Sequence, residues 1–180
     1  MEERTLSLPA SLDALRSLRA GDVVRLSGVL YTARDAAHAR FSRLLAAGEP
    51  LPVPKGGCIY YVGPCPAAPG EIIGPCGPTT SMRMDVFTPA LVDYGVTLFV
   101  GKGERSKAVC DALRGRAVYL AATGGAGMLL ASRVTKCELV AFADLGSEAV
   151  YRLTVSGFPA IVAFDLAGTD LYARTDRTDA

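Results

Sequence analysis

Several features that would announce a function outright are missing from this sequence. The five cysteines, Cys58, Cys65, Cys76, Cys110 and Cys137, include no Cys-x-x-Cys pair, so the chain carries no self-contained zinc or iron–sulfur motif and no metal ligand set is expected. Their odd number and wide spacing also argue against a disulfide framework. Cys58, Cys110 and Cys137 read as core. Cys65 and Cys76 read as small semi-apolar filler in loops that folding can bring together. Charge of one sign is lacking too: 19 Lys and Arg against 18 Asp and Glu leave a net charge of +1. That balance excludes the basic stripe nucleic-acid binding would need. No apolar run approaches the roughly 18 residues of a membrane helix. The start Met1-Glu2-Glu3-Arg4 lacks the apolar core of a signal peptide, and a cytoplasmic chain without membrane contact is the expectation. Repeats, low-complexity tracts and linkers are absent as well, which over 180 residues predicts a single domain, 1–180.

What is present alternates. Residues 1–20 form a peripheral lead in which Leu12, Leu15 and Leu18 mark a short amphipathic helix. Val23–Leu30 reads as a strand, Arg34–Ala47 as a helix, Gly57–Val62 as a buried strand and Gly70–Gly74 as a short one. A helix ending at Tyr94 follows, then a strand Val96–Val100, a helix Ser106–Leu113, a strand Ala117–Leu120 and a helix Gly125–Arg133. Strands Cys137–Ala143, Val150–Val155 and Ile161–Asp165 close the chain, before a charged, peripheral tail over 174–180. Strand–helix alternation with short connections is the pattern of parallel α/β packing, here with extra β-strands, giving an α/β fold.

The chemistry concentrates in Gly74-Pro75-Cys76-Gly77-Pro78-Thr79-Thr80-Ser81-Met82-Arg83-Met84-Asp85. Two Gly-Pro turns hold this loop in one shape. Three hydroxyls follow where a helix begins, because Met84, Phe87, Leu91 and Tyr94 recur at helical spacing. Hydroxyls and free N–H groups at a helix start favour an anion, and Arg83 adds a planar fork for a carboxylate. A plain N-cap is the alternative, although a cap needs one hydroxyl and not three.

Three further residues bear on the same chemistry. Lys102 lies between two glycines at the end of a strand, placed to meet an anion, with a solvated turn lysine as the alternative. Neither Gly101-Lys102-Gly103 nor Thr123-Gly124-Gly125-Ala126-Gly127 completes a nucleotide-binding pattern. Arg34 opens a helix, against the dipole that Asp35 complements. His38, the only histidine, stands one turn after Arg34 and reads as its support rather than as a catalyst. Arg34, Arg83 and Lys102 at three strand ends are the set a small dicarboxylate would require. No obvious base accompanies them, so the chain reads as half of a site.

The string from Gly77 to Asp85 resembles the signature of the class I fumarase C-terminal domain. This domain is shared with the β subunits of two-subunit fumarases and of L-tartrate dehydratase. Tyr31–Arg40 resembles the family's Arg-Asp-x-x-His helix start, Tyr61–Ala67 its Gly-Pro-x-Pro loop, and Val100–Gly103, continued by Glu104-Arg105-Ser106, its Gly-Lys-Gly turn. These landmarks run in matching order over nearly the whole chain. The resemblance implies a swivelling β/β/α domain with a mixed sheet and flanking helices. It implies a hydro-lyase that hydrates fumarate to (S)-malate, with L-tartrate as the alternative substrate. It further implies a [4Fe-4S] cluster whose open iron acts as a Lewis acid, ligated by a larger α subunit in an α2β2-type assembly. On the same grounds Thr79 matches the base for the C3 proton, activated by a partner aspartate. Arg34, Arg83 and Lys102 match carboxylate-binding residues, and Thr80, Ser81, His38 and Asp35 support them. A non-catalytic dicarboxylate-binding module is the alternative from outside the enzyme class.

Overall fold

The computed structural model describes residues 3–123 and 125–173. In chain order its elements are β1 (Glu3–Ser7), α1 (Leu12–Ser17), β2 (Val23–Thr32), α2 (Asp35–Ala46) and β3 (Cys58–Tyr60). A 3-10 turn (Ser81–Met84), α3 (Thr88–Tyr94), β4 (Leu98–Gly101), α4 (Lys107–Leu113) and β5 (Val118–Ala121) follow. Then come α5 (Gly127–Ala131), β6 (Val134–Ala141), a second 3-10 segment (Ala143–Glu148) and β7 (Val150–Phe164).

Strands with both faces covered need apolar residues at consecutive positions, and β3, β4 and β5 supply them. Cys58, Tyr60, Leu98, Val100, Val118 and Leu120 face a core that includes Leu15, Leu26 and Phe158. Their chain neighbours Ile59, Tyr61, Phe99 and Tyr119 face the opposite core, against Phe41 of α2, Leu91 of α3 and Val109 and Leu113 of α4. The two-residue period of a strand thus divides the molecule into two apolar layers. The mixed sheet has the order β1-β2-β3-β4-β5-β7-β6, and β2 also pairs with β7. Strands β2, β3, β4, β5 and β7 therefore close a ring of hydrogen-bonded neighbours. Because β2, β3 and β4 are mutually parallel, Thr32, Tyr60 and Gly101 end at one edge.

The architecture is the expected α/β one, with a mixed sheet and flanking helices, but five local readings change. The lead is not peripheral: Glu3–Ser7 pairs in parallel with Val23–Ser27, and Leu6, Leu15 and Leu18 are buried. Residues 70–74 form no strand; the backbone there packs against a loop, and a Cβ at Gly74 would lie 2.4 Å from the Pro66 carbonyl. The helix expected up to Tyr94 breaks into the 3-10 turn and α3, with a proline in the first turn of α3. Pro89 suits a helix start and not a helix interior. The two strands expected over 150–165 are one strand carrying a bulge, where its register against Leu26 and Gly28 slips. Among the cysteines, Cys58 and Cys76 are buried, Cys110 and Cys137 only partly so, and Cys65 is exposed; all five are free. The tail, 174–180, and Gly124 of the glycine-rich turn lie outside the described residues. No helix among those described is long and apolar enough to cross a membrane.

Candidate active site

The edge where β2, β3 and β4 end gathers the chemistry, as open parallel sheets generally do at their carboxyl ends. Arg34 follows β2 and occupies the N-cap position of α2, with extended backbone and no side-chain cap bond. The capping it cannot provide comes from a distance: Glu148 accepts the Ala36 N–H at 2.9 Å. The same carboxylate stands 3.6 Å from the Arg34 guanidinium. Asp35 joins two arginines, Arg83 through Nε at 3.1 Å and Arg34 through Nη2 at 3.7 Å. Arg34 Nε and Asp35 Oδ2 are buried without a hydrogen-bond partner among the described residues. The cluster therefore holds donor capacity that a carboxylate could use.

The Gly-Pro-Thr-Thr loop arrives beside this cluster. Thr79 N–H donates to the Tyr61 carbonyl at 2.7 Å, just past the end of β3. Thr80 pairs with Lys102 as an isolated parallel bridge. Ser81 N–H donates to the Lys102 carbonyl at 2.9 Å, and Lys102 N–H returns a bond to Ser81 Oγ at 3.0 Å. That closeness requires Gly101, where a Cβ would lie 1.9 Å from Ser81 Oγ. The hydroxyls are not helix caps, because Thr80 stands at the N-cap of the 3-10 turn without a side-chain cap bond. Half-buried Thr79 and exposed Thr80 hold no hydroxyl hydrogen bond among the described residues. Ser81 is buried and donates to Tyr119 Oη at 2.9 Å.

His38 sits behind the edge. Its Nδ1 lies 2.8 Å from the Arg34 carbonyl, and its ring packs among Phe41, Tyr61 and Phe87 at 5.5–5.6 Å between centroids. Burial lowers its pKa to about 4, against the opposing bond to Arg34. A neutral ring donating from Nδ1 fixes the Arg34 backbone, and acid–base work near neutrality falls outside its range.

Three residues of this assembly had little or no signal in the sequence. Glu148 is 112 residues from the amide it caps, and no local pattern marks it. Arg105 and Asp85 lay inside recognisable strings, but nothing local pairs them; they meet at 2.8 Å beneath the loop. A cavity of about 340 Å³ lies apart from these groups, lined by Cys65, Ile72, Cys137 and Tyr151 among others. Neither Thr79 nor any of the three cations lines it. Among the described residues no group of three or more His, Cys, Asp or Glu is placed to hold a metal ion.

Fumarate hydratase 2 of Leishmania major is 39% identical over 159 residues, which is 86% of this chain and 28% of that protein. The anaerobic class I fumarate hydratase of Escherichia coli K12 is 38% identical over 151 residues, 82% of this chain and 28% of that protein. The chain thus spans just over a quarter of these fumarate hydratases. The putative L(+)-tartrate dehydratase subunit beta of Methanocaldococcus jannaschii is 37% identical over 171 residues, covering 91% of this chain and 88% of that subunit. The family model described as the fumarase C-terminus matches residues 2–175. By that match the chain belongs to the fumarase C-terminus family.

Proposed function

We propose that this chain is the carboxylate-binding and proton-handling part, or β subunit, of a hydro-lyase that interconverts fumarate and malate. The observation that carries the reading is the meeting of Arg34 and Arg83 on one carboxylate, Asp35, at the edge where the Thr79–Ser81 loop bonds Lys102. Three cations spread over two loops and a helix start can hold both ends of a four-carbon diacid and leave its middle bonds free. In the dehydration direction Thr79 Oγ1 takes the proton from C3 as the hydroxyl leaves C2; in hydration it returns that proton. A threonine hydroxyl is a weak base at its ordinary pKa and needs an activating carboxylate. The family resemblance assigns that carboxylate, and the [4Fe-4S] cluster, to a larger partner subunit. The unbonded Thr79 hydroxyl speaks against a purely binding module, which would need only the cations.

Tartrate is the second reading, favoured by the near-complete overlap with the tartrate dehydratase subunit. The deciding experiment is an anaerobic assay of the chain co-expressed with the larger partner subunit, offering fumarate, malate and both tartrate enantiomers. Turnover of fumarate and malate by the complex supports the proposal, and turnover of L-tartrate alone replaces the substrate while keeping the chemistry. Silence on all four, with the cluster intact, overturns it.

A further inference from the structure

Lys102 sits on one loop, while Thr79 and Arg83 sit on another. A dicarboxylate reads the distance between such anchors, so something must set that distance. Between the loops lies Arg105, whose side chain is buried. Its Nε donates to Asp85 Oδ1 at 2.8 Å, Nη2 to Thr88 Oγ1 at 2.7 Å and Nη1 to Tyr61 Oη at 3.3 Å. The guanidinium stands 5.2 Å from the Tyr61 ring centroid and 5.0 Å from that of Tyr119. Asp85 uses its second oxygen to accept the Ser106 N–H at 2.7 Å. One carboxylate on the Thr79–Asp85 segment thus holds both the side chain of Arg105 and the next backbone amide of the Lys102 loop.

A second line of bonds runs parallel to this pair. Lys102 N–H donates to Ser81 Oγ, Ser81 donates to Tyr119 Oη, and Tyr119 donates to the Gly103 carbonyl at 2.7 Å. The line starts and ends on the Lys102 loop and passes through Ser81, so each hydroxyl has a single direction to donate. Burial raises the Tyr61 and Tyr119 hydroxyls above the usual tyrosine range, which keeps both protonated near neutrality.

We propose that Arg105, paired with Asp85, is a positioning residue that fixes the span between the Lys102 anchor and the Thr79–Arg83 anchor, and so selects a diacid by the separation of its two carboxylates. The inference rests on the hydro-lyase reading for its substrate, whereas the clamp itself rests on the bonds above. Planarity is essential to it, since an ammonium cannot replace a fork that serves three acceptors between two rings.

The test has two arms, both using Arg105→Lys. In the complex with the cluster-bearing partner, KM for fumarate should rise about tenfold or more, while inhibition by acetate, which needs only one anchor, stays unchanged. In the full chain alone, hydrogen exchange should quicken at the Ser81, Lys102 and Ser106 amides and stay at the wild-type rate in the β2–β7 ladder. An equal loss for acetate and fumarate, an unchanged KM, or a uniform rise in exchange would each overturn the proposal. A wild-type complex that turns over no diacid would overturn the substrate reading, and the exchange arm would still decide the clamp. Asp85→Asn, which keeps shape and removes the charge, should reproduce the rise in fumarate KM with acetate inhibition unchanged; failure to do so in a folded chain counts against the pair.

Discussion

Two arginine–aspartate pairs reach the same short segment and differ in burial. Asp85 meets Arg105 at 2.8 Å, with side chains 10% and 1% exposed; Arg83 meets Asp35 at 3.1 Å, with side chains 54% and 35% exposed. A buried pair must be kept whole, because removing one partner strands a charge where water cannot reach it. An exposed pair holds its geometry at almost no net energy, so another carboxylate can replace its acid. One pair therefore belongs to the frame, and the other is available to a ligand. The segment from Thr79 to Asp85 is anchored at its inner end and open along its outer side.

The contrast can be broken at several points. Thr79→Ala, on the open side, should lower kcat of the assembled enzyme by about 10²–10⁴-fold with KM little changed; near-normal kcat under steady-state assay would remove the base assignment. Asp85→Asn, on the anchored side, should cost about 3–5 kcal/mol of folding stability, read by urea denaturation. A loss under 1 kcal/mol would mean that burial does not separate the pairs.

His38 gives the next largest effect. Its folded pKa of about 4 lies below the ordinary imidazole value of 6.5, so between those values the unfolded chain binds the proton and the folded chain does not. Stability is full above pH 6.5 and falls by about 3 kcal/mol as pH drops to 4. His38→Gln should flatten that part of the pH–stability curve, and an unaltered slope would contradict a buried neutral ring. Arg83→Lys should raise KM for fumarate about tenfold, since the bidentate fork is lost, yet change folding stability by under 1 kcal/mol. A large stability loss there would place Arg83 in the frame beside Arg105.

Much of this arrangement was legible in the sequence, for physical reasons that differ by region. The β4–α4–β5 alternation was plain because Leu98–Gly101 and Val118–Leu120 are buried and must be apolar without interruption. Strand β1 was hidden because only Leu6 of Glu3–Ser7 is buried, so an edge strand reads as polar chain. The bulge in β7 looked like a strand break, since Gly157 and Pro159 carry a turn's composition whether or not pairing continues around them. At the site, Thr79, Arg83, Arg34 and Lys102 stood out because each sits in a turn or at a helix start, where Arg34 opposes the dipole and three hydroxyls exceed what one cap needs. Glu148 and the Asp85–Arg105 pair did not, because their roles depend on partners brought in by folding.

The most direct measurement is a succinate titration of the chain labelled with 15N-arginine, following the Nε–H resonances. Arg34 and Arg83 should shift together as the diacid arrives while Arg105 stays in place. A shift confined to Arg105, or none at Arg34 and Arg83, would contradict this reading.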